Sequence, residues 1–380
     1  MTKYEIENLG EHGMADSTSS LRILLVGGYG VVGTQVAELL RAHHPSATLL
    51  IAGRRISEAT AVASRLGNAE PVQIDTQAAD PLAGIGGRID AVAQLVHDHD
   101  DAVLRATIRR SAAYIDITRG AAPQTRAYAA AALESPHAPV MFASNWMAGV
   151  PAIVAMHLAS RLAQVETVAI SILFYGADKG GPDSEGAGDT LATSFMSRVN
   201  GAWQKTPPMS DPVSIRFPSG LERPVYRLAM ADGVTLAQAT SARDVAVRLG
   251  LDSAATTKTT HFMVRTGLWS MLQSERMTWL RKRLTHNPSK EGAPHEIVVE
   301  VTGRGSDGKD RTLRAGLLDS KGQSHLTALG VVANLERALG LHGEKLRPGV
   351  AVPETAPNGA RLLQLLRAAR VTVELTPPEI

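Results

Sequence analysis

The chain has 380 residues, of which 44% are hydrophobic and 20% charged, and it contains no cysteine. This length predicts two or three domains with room for a sizeable core. With 39 basic against 37 acidic residues, the formal net charge of +2 gives no general attraction to nucleic acid or to an anionic membrane. The lack of cysteine excludes disulfides, thiolate zinc sites and thiol nucleophiles, and with them the dehydrogenases that form thioesters.

Two segments bear on localisation. Residues 1–20 carry four acidic side chains and no apolar run, which predicts a disordered leader rather than a secretory signal. Residues 262–284 are the most membrane-like stretch, but arginine, lysine and glutamate interrupt them, so they cannot cross a bilayer. We therefore expect a cytoplasmic protein that binds neither membranes nor nucleic acid.

Residues 21–145 alternate short apolar runs with longer amphipathic stretches, the pattern of a parallel sheet covered by helices on both faces. Six strands are predicted, at residues 22–26, 48–52, 72–75, 91–96, 113–117 and 140–143. Helices are predicted near residues 31–43, 57–66, 100–112 and 122–134. The pattern predicts an α/β fold that begins with a doubly wound Rossmann sheet.

The first strand leads directly into a G-x-G-x-x-G fingerprint, Gly28-Tyr29-Gly30-Val31-Val32-Gly33, at the start of a predicted helix. Gly28 permits the tight turn, Gly30 lets a pyrophosphate approach the backbone, and Gly33 lets the helix pack on the strand. The free N–H groups at the helix start then face the phosphates. The glycines alone would indicate only a turn, but within strand, turn and helix they predict a dinucleotide site.

The end of the second strand indicates which dinucleotide binds. An NAD enzyme usually has an acid there, about 20 residues after the glycines, to bind the ribose 2′-hydroxyl. This chain has Arg54 and Arg55 instead, and two guanidinium groups suit a 2′-phosphate. The pair therefore predicts NADP(H), with a solvated strand end as the alternative. Asp75, after the third strand, is a further candidate for the adenine end.

The nicotinamide should lie where the strand order reverses, between the first and fourth strands. His97 ends the fourth strand and is a candidate catalytic residue, although the acids after it also suit a helix start that the histidine merely decorates. On the fifth strand, Asp116 points away from its apolar neighbours, so it either braces a loop or acts as a proton donor. Arg119 follows, as a candidate ligand for a substrate carboxylate or as a surface residue.

Two further patterns point to other chemistry. The histidines and acids of residues 97–101 suggest a metal, but consecutive residues at a helix start do not converge on one ion, so no metal site is predicted. Tyr175 and Lys179 have the Tyr-x-x-x-Lys spacing of short-chain reductases, which need both side chains on one helix face. Residues 169–174 indicate a strand and residues 176–188 a loop, so this match indicates chance.

The rest of the chain predicts a second, mixed α/β region. A helix is expected from Gly149 to Arg161, then a strand, a glycine loop over residues 180–188 and a helix from about Asp189. Strands near residues 213–217 and 225–228 and a hairpin over residues 295–318 follow. The basic amphipathic segment 253–284 indicates a buried subunit or domain contact, or a membrane surface. Helices near residues 326–339 and 358–370 close the chain.

Together these residues resemble the saccharopine dehydrogenase-like family, in its NADP-dependent saccharopine reductase branch. The resemblance is carried by the glycine fingerprint, by Gly53-Arg54-Arg55, and by residues 108–116, which are similar to the family's A-x-x-x-G-x-x-Y-V-D pattern. Residues 145–150 resemble the family's D-P-G turn, with Met147-Ala148-Gly149 in its place. Residues 349–354 and 362–366 resemble its closing segment.

The resemblance implies a domain plan and a reaction. A Rossmann domain would occupy residues 21–145, a mixed α/β domain for substrate binding and dimerisation residues 146–325, and a C-terminal helical segment, residues 326–380, would pack back on the Rossmann domain. The implied reaction is hydride exchange at a C–N bond of an amino-acid-like substrate through an imine, in a homodimer. The alternatives are an NADPH-binding regulator without turnover and a ketone reductase.

The resemblance also implies residue roles. Asn145 and Trp146 would contact the substrate. The glycine turn and the arginine pair would hold NADP(H), and the end of the fourth strand would border the nicotinamide: Gly28, Tyr29, Gly30, Val31, Val32, Gly33, Arg54, Arg55, Leu95, Val96 and His97.

Overall fold

Two seven-stranded sheets organise the chain in a computed structural model, which describes residues 21–177, 191–272, 277, 292–343 and 345–376. The predicted leader, the glycine loop at residues 180–188, Lys179 and the predicted helix start at Asp189 lie outside these residues. Among the helices that the structure describes, none is both long and apolar enough to span a lipid bilayer.

The first sheet is parallel throughout, with the order β15-β6-β5-β4-β1-β2-β3. Its strands are β1 (Arg22–Val26), β2 (Thr48–Gly53), β3 (Ala69–Gln73), β4 (Ala91–Gln94), β5 (Ala113–Asp116), β6 (Pro139–Phe142) and β15 (Gly349–Ala351). Four helices alternate with them: α1 (Val31–His43), α2 (Ile56–Leu66), α3 (Ala102–Arg109) and α4 (Ala121–Glu134). The inner strands are buried on both faces, as continuous apolar runs require. The predicted α/β class with a doubly wound Rossmann sheet is confirmed.

The edges of this sheet differ from the prediction. The third strand begins at Ala69 and ends at Gln73, rather than spanning residues 72–75, because it is an edge strand with little buried surface and a weak apolar pattern. Asp75 therefore follows the strand by two residues. The seventh strand, β15, was not predicted, since three residues beside β6 leave almost no pattern.

The second sheet is mixed, with the order β10-β11-β12-β7-β13-β14-β16, in which only β12 and β7 are parallel neighbours among the described strands. Its strands are β7 (Gln164–Phe174), β10 (Ser210–Arg216), β11 (Glu222–Arg227), β12 (Asp244–Leu251), β13 (His295–Arg304), β14 (Asp310–Asp319) and β16 (Thr372–Thr376). A separate hairpin pairs β8 (Phe195–Val199) with β9 (Ala202–Thr206). The mixed second sheet was predicted, whereas β8, β9, β12 and β16 were not.

Helices fill the space around and between the sheets. They are α5 (Val150–Ala159), α6 (Asp232–Thr240), α7 (Ala254–Arg265), α8 (Leu268–Leu272), α9 (Gln323–Leu339) and α10 (Gly359–Ala368). The described part of the amphipathic segment forms α7 and α8, where Trp269 is buried and Phe262 and Met271 are exposed.

Helix α9 joins the two sheets. It is buried along most of its length and contacts α1, β4 and β5 on one side and α5 and β14 on the other. Such all-round burial requires the small and apolar residues that this helix has. A Cβ on its Gly330 would lie 2.5 Å from the Met147 carbonyl oxygen, so α9 also touches the 3-10 turn Trp146–Gly149 that follows the first sheet.

Candidate cofactor and active site

The glycine turn after β1 is shaped for a phosphate. A Cβ on Gly33 would lie 2.1 Å from the Gly27 carbonyl oxygen, so only glycine allows α1 to start this close to the turn. A Cβ on Gly30 would meet one atom within 4 Å, that same oxygen at 3.2 Å, so its other side is open. Val31, the first residue of α1, is exposed. A pyrophosphate can therefore approach the helix start, and the residues fit a dinucleotide.

Tyr29 links this turn to the loop after β2 that carries Arg54 and Arg55, which we call the arginine loop. Its ring lies over Gly53, where a Cβ would be 2.3 Å from ring atom Cε1. The Tyr29 hydroxyl accepts a hydrogen bond from the Arg55 amide at 3.1 Å, and the Arg55 guanidinium carbon lies 5.5 Å from the ring centroid. Glu58 reaches the guanidinium only at 4.0 Å, and the Arg55 side chain is 69% exposed. Its charge is thus positioned but still accessible to a ligand.

Arg54 and Asp75 meet at the carboxyl edge of β2 and β3. They line one open cleft together with Gln73 and Ile74. The Gln73 amide donates to the Arg54 carbonyl at 3.2 Å and so fixes the loop. Asp75 accepts a hydrogen bond from the Gln77 amide at 3.0 Å, which shows that it also shapes its own turn. The structure therefore brings together the two residues expected at the adenine end.

The end of β4 lies against the glycine turn. A Cβ on Gly27 would lie 2.6 Å from Val96 Cγ1, and the Leu95 amide donates to the Val26 carbonyl at 3.0 Å. This contact places Leu95 and Val96 at the predicted reversal of strand order, between β1 and β4.

His97 follows these residues on the exposed side of the loop, with its ring centroid 5.5 Å from that of His99. Asp98 turns inward instead and accepts the Ala102 and Leu104 amides at 3.0 Å each. Asp98 thus caps the start of α3, which agrees with the interpretation that the acids after His97 belong to a helix start. His97 stays a candidate at the cofactor edge.

Asp116 and Arg119 form a buried ion pair inside the first sheet. The Asp116 carboxylate is fully buried and accepts hydrogen bonds from Tyr114 Oη at 2.8 Å, the Thr118 amide at 2.8 Å and Arg119 Nε at 2.6 Å. Arg119, whose side chain is 2% exposed, also contacts Asp101. These partners favour the bracing role over proton donation for Asp116.

The guanidinium of Arg119 already has acidic partners inside the protein. Its guanidinium faces three carboxylates, those of Asp98, Asp101 and Asp116. This enclosure leaves it neither at the surface nor free for a substrate carboxylate, and it makes Arg119 the centre of a buried charge network.

Asn145 and Trp146 lie at the junction of the sheets rather than side by side on one surface. The buried Asn145 amide donates to Glu354 Oε1 and to Thr235 Oγ1, at 3.2 Å each. The half-buried indole of Trp146 donates to His295 Nε2 at 3.0 Å. Asn145 is thus held inside the protein, whereas Trp146 connects the first sheet to the second.

His295 starts a row of polar residues that the sequence did not predict. It is the first residue of β13 and pairs in register with Asp319, the last residue of β14. Asp319 in turn lies 2.7 Å from Nδ1 of His325, in the first turn of α9. We call Trp146, His295, Asp319, His325 and Ser324 the polar belt.

The polar belt ends at α1, the helix that follows the glycine turn. Ser324 Oγ accepts a hydrogen bond from Gln35 Nε2 at 3.0 Å, and the same Gln35 amide donates to the Val31 carbonyl at the start of α1. The belt therefore runs from the turn after β6 to within one helical turn of the glycine fingerprint. The sequence shows an acid at a strand end and a histidine at a helix start, but no local pattern predicts that the two side chains meet.

Two buried acids at the junction of the two sheets were also not predicted from the sequence. Asp232 accepts the Trp146 amide at 2.9 Å, and burial raises the pKa of Asp232 to about 6. Burial, together with the charge of Asp232, raises the pKa of Glu354 to about 7. A carboxyl that stays partly protonated near neutral pH is common at functional sites.

A separate titratable cluster lies at the other end of α9. Within the described ranges, His44, Glu336 and His342 bring three possible metal ligands within 4.8 Å of one another. Arg361 donates to both Glu336 oxygens at 2.8 Å. Burial opposes the charged carboxylate, but Arg361 and His44 outweigh it and lower the pKa of Glu336 to about 2. The cluster is therefore an ion-pair network between α1, α9 and α10.

The parallel sheet, the open glycine turn and the paired arginines define an NADP-binding oxidoreductase fold. Residues 23–138 match the family model described as "Saccharopine dehydrogenase NADP binding domain". This match confirms both the predicted resemblance and NADP(H) as the cofactor. No curated protein matches the chain by sequence.

The likeness to a solved structure extends beyond this domain. Saccharopine dehydrogenase (L-Glu forming) from Saccharomyces cerevisiae matches with a TM-score of 0.66 and 12% identity, covering 93% of this chain and 99% of that one. This likeness shows a common fold. A meso-dapdh mutant with DAP from Clostridium tetani E88 matches with a TM-score of 0.44 and 14% identity, covering 92% and 99%. Amine dehydrogenase from Mycobacterium smegmatis matches with a TM-score of 0.42 and 11% identity, covering 87% of this chain and 94% of that one.

Proposed function

We propose that this protein is an NADP(H)-dependent oxidoreductase that reduces a C=N bond of an amino-acid-like substrate, or oxidises the corresponding amine. The observation that carries the proposal is the polar belt, which brings a buried His325–Asp319 pair from the second sheet to the start of the cofactor helix. The bound cofactor supplies the hydride. One proton delivered to the nitrogen completes the reduction of an imine to an amine.

Different residues would bind different parts of the cofactor and the substrate. The glycine turn would hold the pyrophosphate against the start of α1, and Arg54 and Arg55 would hold the 2′-phosphate. Leu95, Val96 and His97 would border the nicotinamide, where the end of β4 touches the turn. Trp146 would close the substrate side, since its indole is fixed by His295.

We assign the proton to His325. Asp319 lies 2.7 Å from its Nδ1, which orients the ring so that Nε2 lies on the opposite side. Asp319 is then a positioning residue. His97, at the edge of the cofactor site, is the second candidate for the proton. The paired Asp116 and Arg119 would instead hold the loop after β5.

The two rival functions differ in testable ways. A ketone reductase that uses Tyr175 needs a tyrosine that gives up its proton readily. Here Tyr175 donates to Glu296 at 2.7 Å, and burial and that carboxylate raise the pKa of Tyr175 to about 12, which disfavours the role. An NADPH-binding regulator would bind the cofactor without turnover. The homodimer and the cytoplasmic location stay predictions.

The decisive experiment supplies NADPH deuterated at the transferable position with pairs of 2-oxo acids and amines, and with ketones alone. We expect deuterium in a secondary amine, detected by mass spectrometry, and none in an alcohol. His325→Gln should lose most of this activity, whereas Tyr175→Phe, a conservative change just after β7, should keep it. Alcohol formation, or stoichiometric NADPH binding with no oxidation for any pair, would overturn the proposal.

A further inference from the structure

Two imidazoles and a carboxylate converge where the ends of two helices meet. His44 directly follows α1, Glu336 lies in the last turn of α9, and His342 follows α9 by three residues. Nε2 of His44 lies 2.9 Å and Nε2 of His342 lies 3.6 Å from the same oxygen, Glu336 Oε1. The three ligand atoms lie within 4.8 Å of one another. We call these three residues the imidazole cluster.

The spacing of these atoms suits a metal ion better than hydrogen bonds alone. A carboxylate oxygen has two lone pairs, and Arg361 already donates to Glu336 Oε1 and to Oε2 at 2.8 Å each. One lone pair of Oε1 therefore remains for two imidazole nitrogens, and it can accept a hydrogen from only one of them. In a tetrahedral zinc site with bonds of about 2.0 to 2.1 Å, neighbouring ligand atoms are roughly 3.3 Å apart. This value lies between the two distances from the imidazoles to Oε1.

The electrostatics of the imidazole cluster also favour a cation. Glu336 is ionised at neutral pH, and Arg361 balances its charge. Burial lowers the pKa of His342 and so favours the neutral imidazole, which is the form that binds metals. The C-terminal ends of α1 and α9 meet at the cluster, and each contributes about half a negative charge there. The helix ends therefore attract a cation even though Arg361 is close.

The ligand types indicate which metal fits the imidazole cluster. Imidazole nitrogens together with a carboxylate oxygen suit zinc, whereas Mg²⁺ and Ca²⁺ prefer oxygen ligands. We propose that His44, Glu336 and His342 form a zinc site with three protein ligands and a fourth position for water. The side chain of His342 is 41% exposed, which gives the ion a way in. Arg361 then orients the ligating carboxylate through its hydrogen bonds, so the ion pair and the metal do not exclude each other.

The position gives the zinc ion a structural effect. His44 follows the last residue of α1, the helix that begins at the glycine turn, and Glu336 belongs to α9, which joins the two sheets. A bound ion ties the end of α1 to α9 and so stabilises the folded chain. The inference is independent of the proposed reaction, since its test measures metal binding and unfolding rather than turnover.

The test is titration of the full chain with CoCl₂, without a histidine tag and after treatment with EDTA. Co²⁺ replaces zinc in such sites and absorbs visible light strongly when it has four ligands. We expect one equivalent of Co²⁺ to bind with visible absorption, which ZnCl₂ abolishes by competition. His342→Gln and His44→Gln should each weaken Co²⁺ binding at least about tenfold. His137→Gln, a change at an exposed histidine before β6, is the matched control and should bind like the wild type.

Thermal unfolding of the wild-type protein keeps the proposal testable if the variants do not fold. ZnCl₂ at about a hundredfold excess over its dissociation constant should raise the Tm by at least about 2 °C, whereas MgCl₂ should leave it unchanged. Equal Tm in the two salts, with no visible absorption from Co²⁺, would refute the site. Co²⁺ binding that is unchanged in both His342→Gln and His44→Gln would refute it as well, because the metal would then bind elsewhere on the chain.

Discussion

The hydroxyl of Tyr29 accepts a hydrogen bond from the Arg55 amide at 3.1 Å, while its ring lies 5.5 Å from the guanidinium carbon of the same arginine. One residue of the glycine fingerprint thus contacts the loop whose arginines are predicted to bind the 2′-phosphate. Because the ring also covers Gly53, the phosphate turn and the arginine loop form one rigid unit. We therefore expect the choice of cofactor to depend on this contact between the turn after β1 and the loop after β2.

The first prediction concerns that choice. Arg54→Ala combined with Arg55→Ala should weaken NADPH binding at least tenfold and leave NADH binding nearly unchanged, because each charge-assisted hydrogen bond contributes about 1.5 to 3 kcal/mol. Titration calorimetry with both nucleotides measures it. Arg65→Ala is the matched control, because Arg65 is an exposed arginine near the end of α2, the helix that follows the pair, and lies 3.9 Å from Glu38. Equal weakening of both nucleotides would mean that the arginines do not read the 2′-phosphate.

The second prediction concerns Gly53. In Gly53→Ala the new Cβ would lie 2.3 Å from the Tyr29 ring, so the ring must leave its position and release the Arg55 amide. We expect weaker NADPH binding, with partial recovery when Tyr29→Ala is added, because the second change makes room. Gly84→Ala, where a Cβ meets nothing within 4 Å, should bind like the wild type. Unchanged affinity in Gly53→Ala would show that the ring does not orient the loop.

The sequence predicts the elements that local pattern determines. Strand β1 has the predicted bounds because both of its faces are buried and its apolar run is uninterrupted. The glycine turn is equally local, since its residues adjoin in the chain. Strand β3 begins three residues before the prediction because an edge strand needs little apolar surface. Asp116 shows an intermediate case: its burial and need for a partner follow from alternation, but Asp98 and Asp101 enter the network from another segment.

The polar belt and the contact between Asn145 and Glu354 lie beyond such reasoning. Trp146 and His295 are 149 residues apart, and Asn145 and Glu354 are 209 apart. Each is an isolated residue at a strand end or in a short connection, with no periodicity around it. Their contacts depend on how the two sheets pack through α9. The sequence can therefore predict the glycine turn and the arginine pair, while the contacts of the polar belt depend on tertiary structure.

The third prediction separates a structural role for Arg119 from substrate binding. Arg119→Met leaves the buried Asp98 and Asp116 without their counter-charge, while Asp101 keeps Arg126 at 2.9 Å, so we expect a loss of about 3 to 5 kcal/mol in unfolding free energy, or failure to fold. Asp116→Asn should cost less, because Asp98 and Asp101 still face the guanidinium. Urea unfolding measures both. A variant of normal stability with a raised KM would instead identify Arg119 as a substrate ligand.

The fourth prediction is a pH dependence at Glu336. Its folded pKa of about 2 lies below the ordinary 4.5, so the unfolded chain takes up the proton first as the pH falls. The stability that it contributes, about 3 kcal/mol at 1.36 kcal/mol per unit, is present above pH 4.5 and is lost as the pH falls towards 2. Glu336→Gln should therefore be less stable than the wild type at pH 7, and the difference should shrink between pH 5 and pH 3 in urea unfolding. Glu300→Gln, whose partially exposed carboxylate lies 3.4 Å from Arg314, should change stability by less than about 1 kcal/mol at either pH. A difference at Glu336 that is the same at both pH values would show that packing around α9, rather than the ion pair with Arg361, determines its contribution.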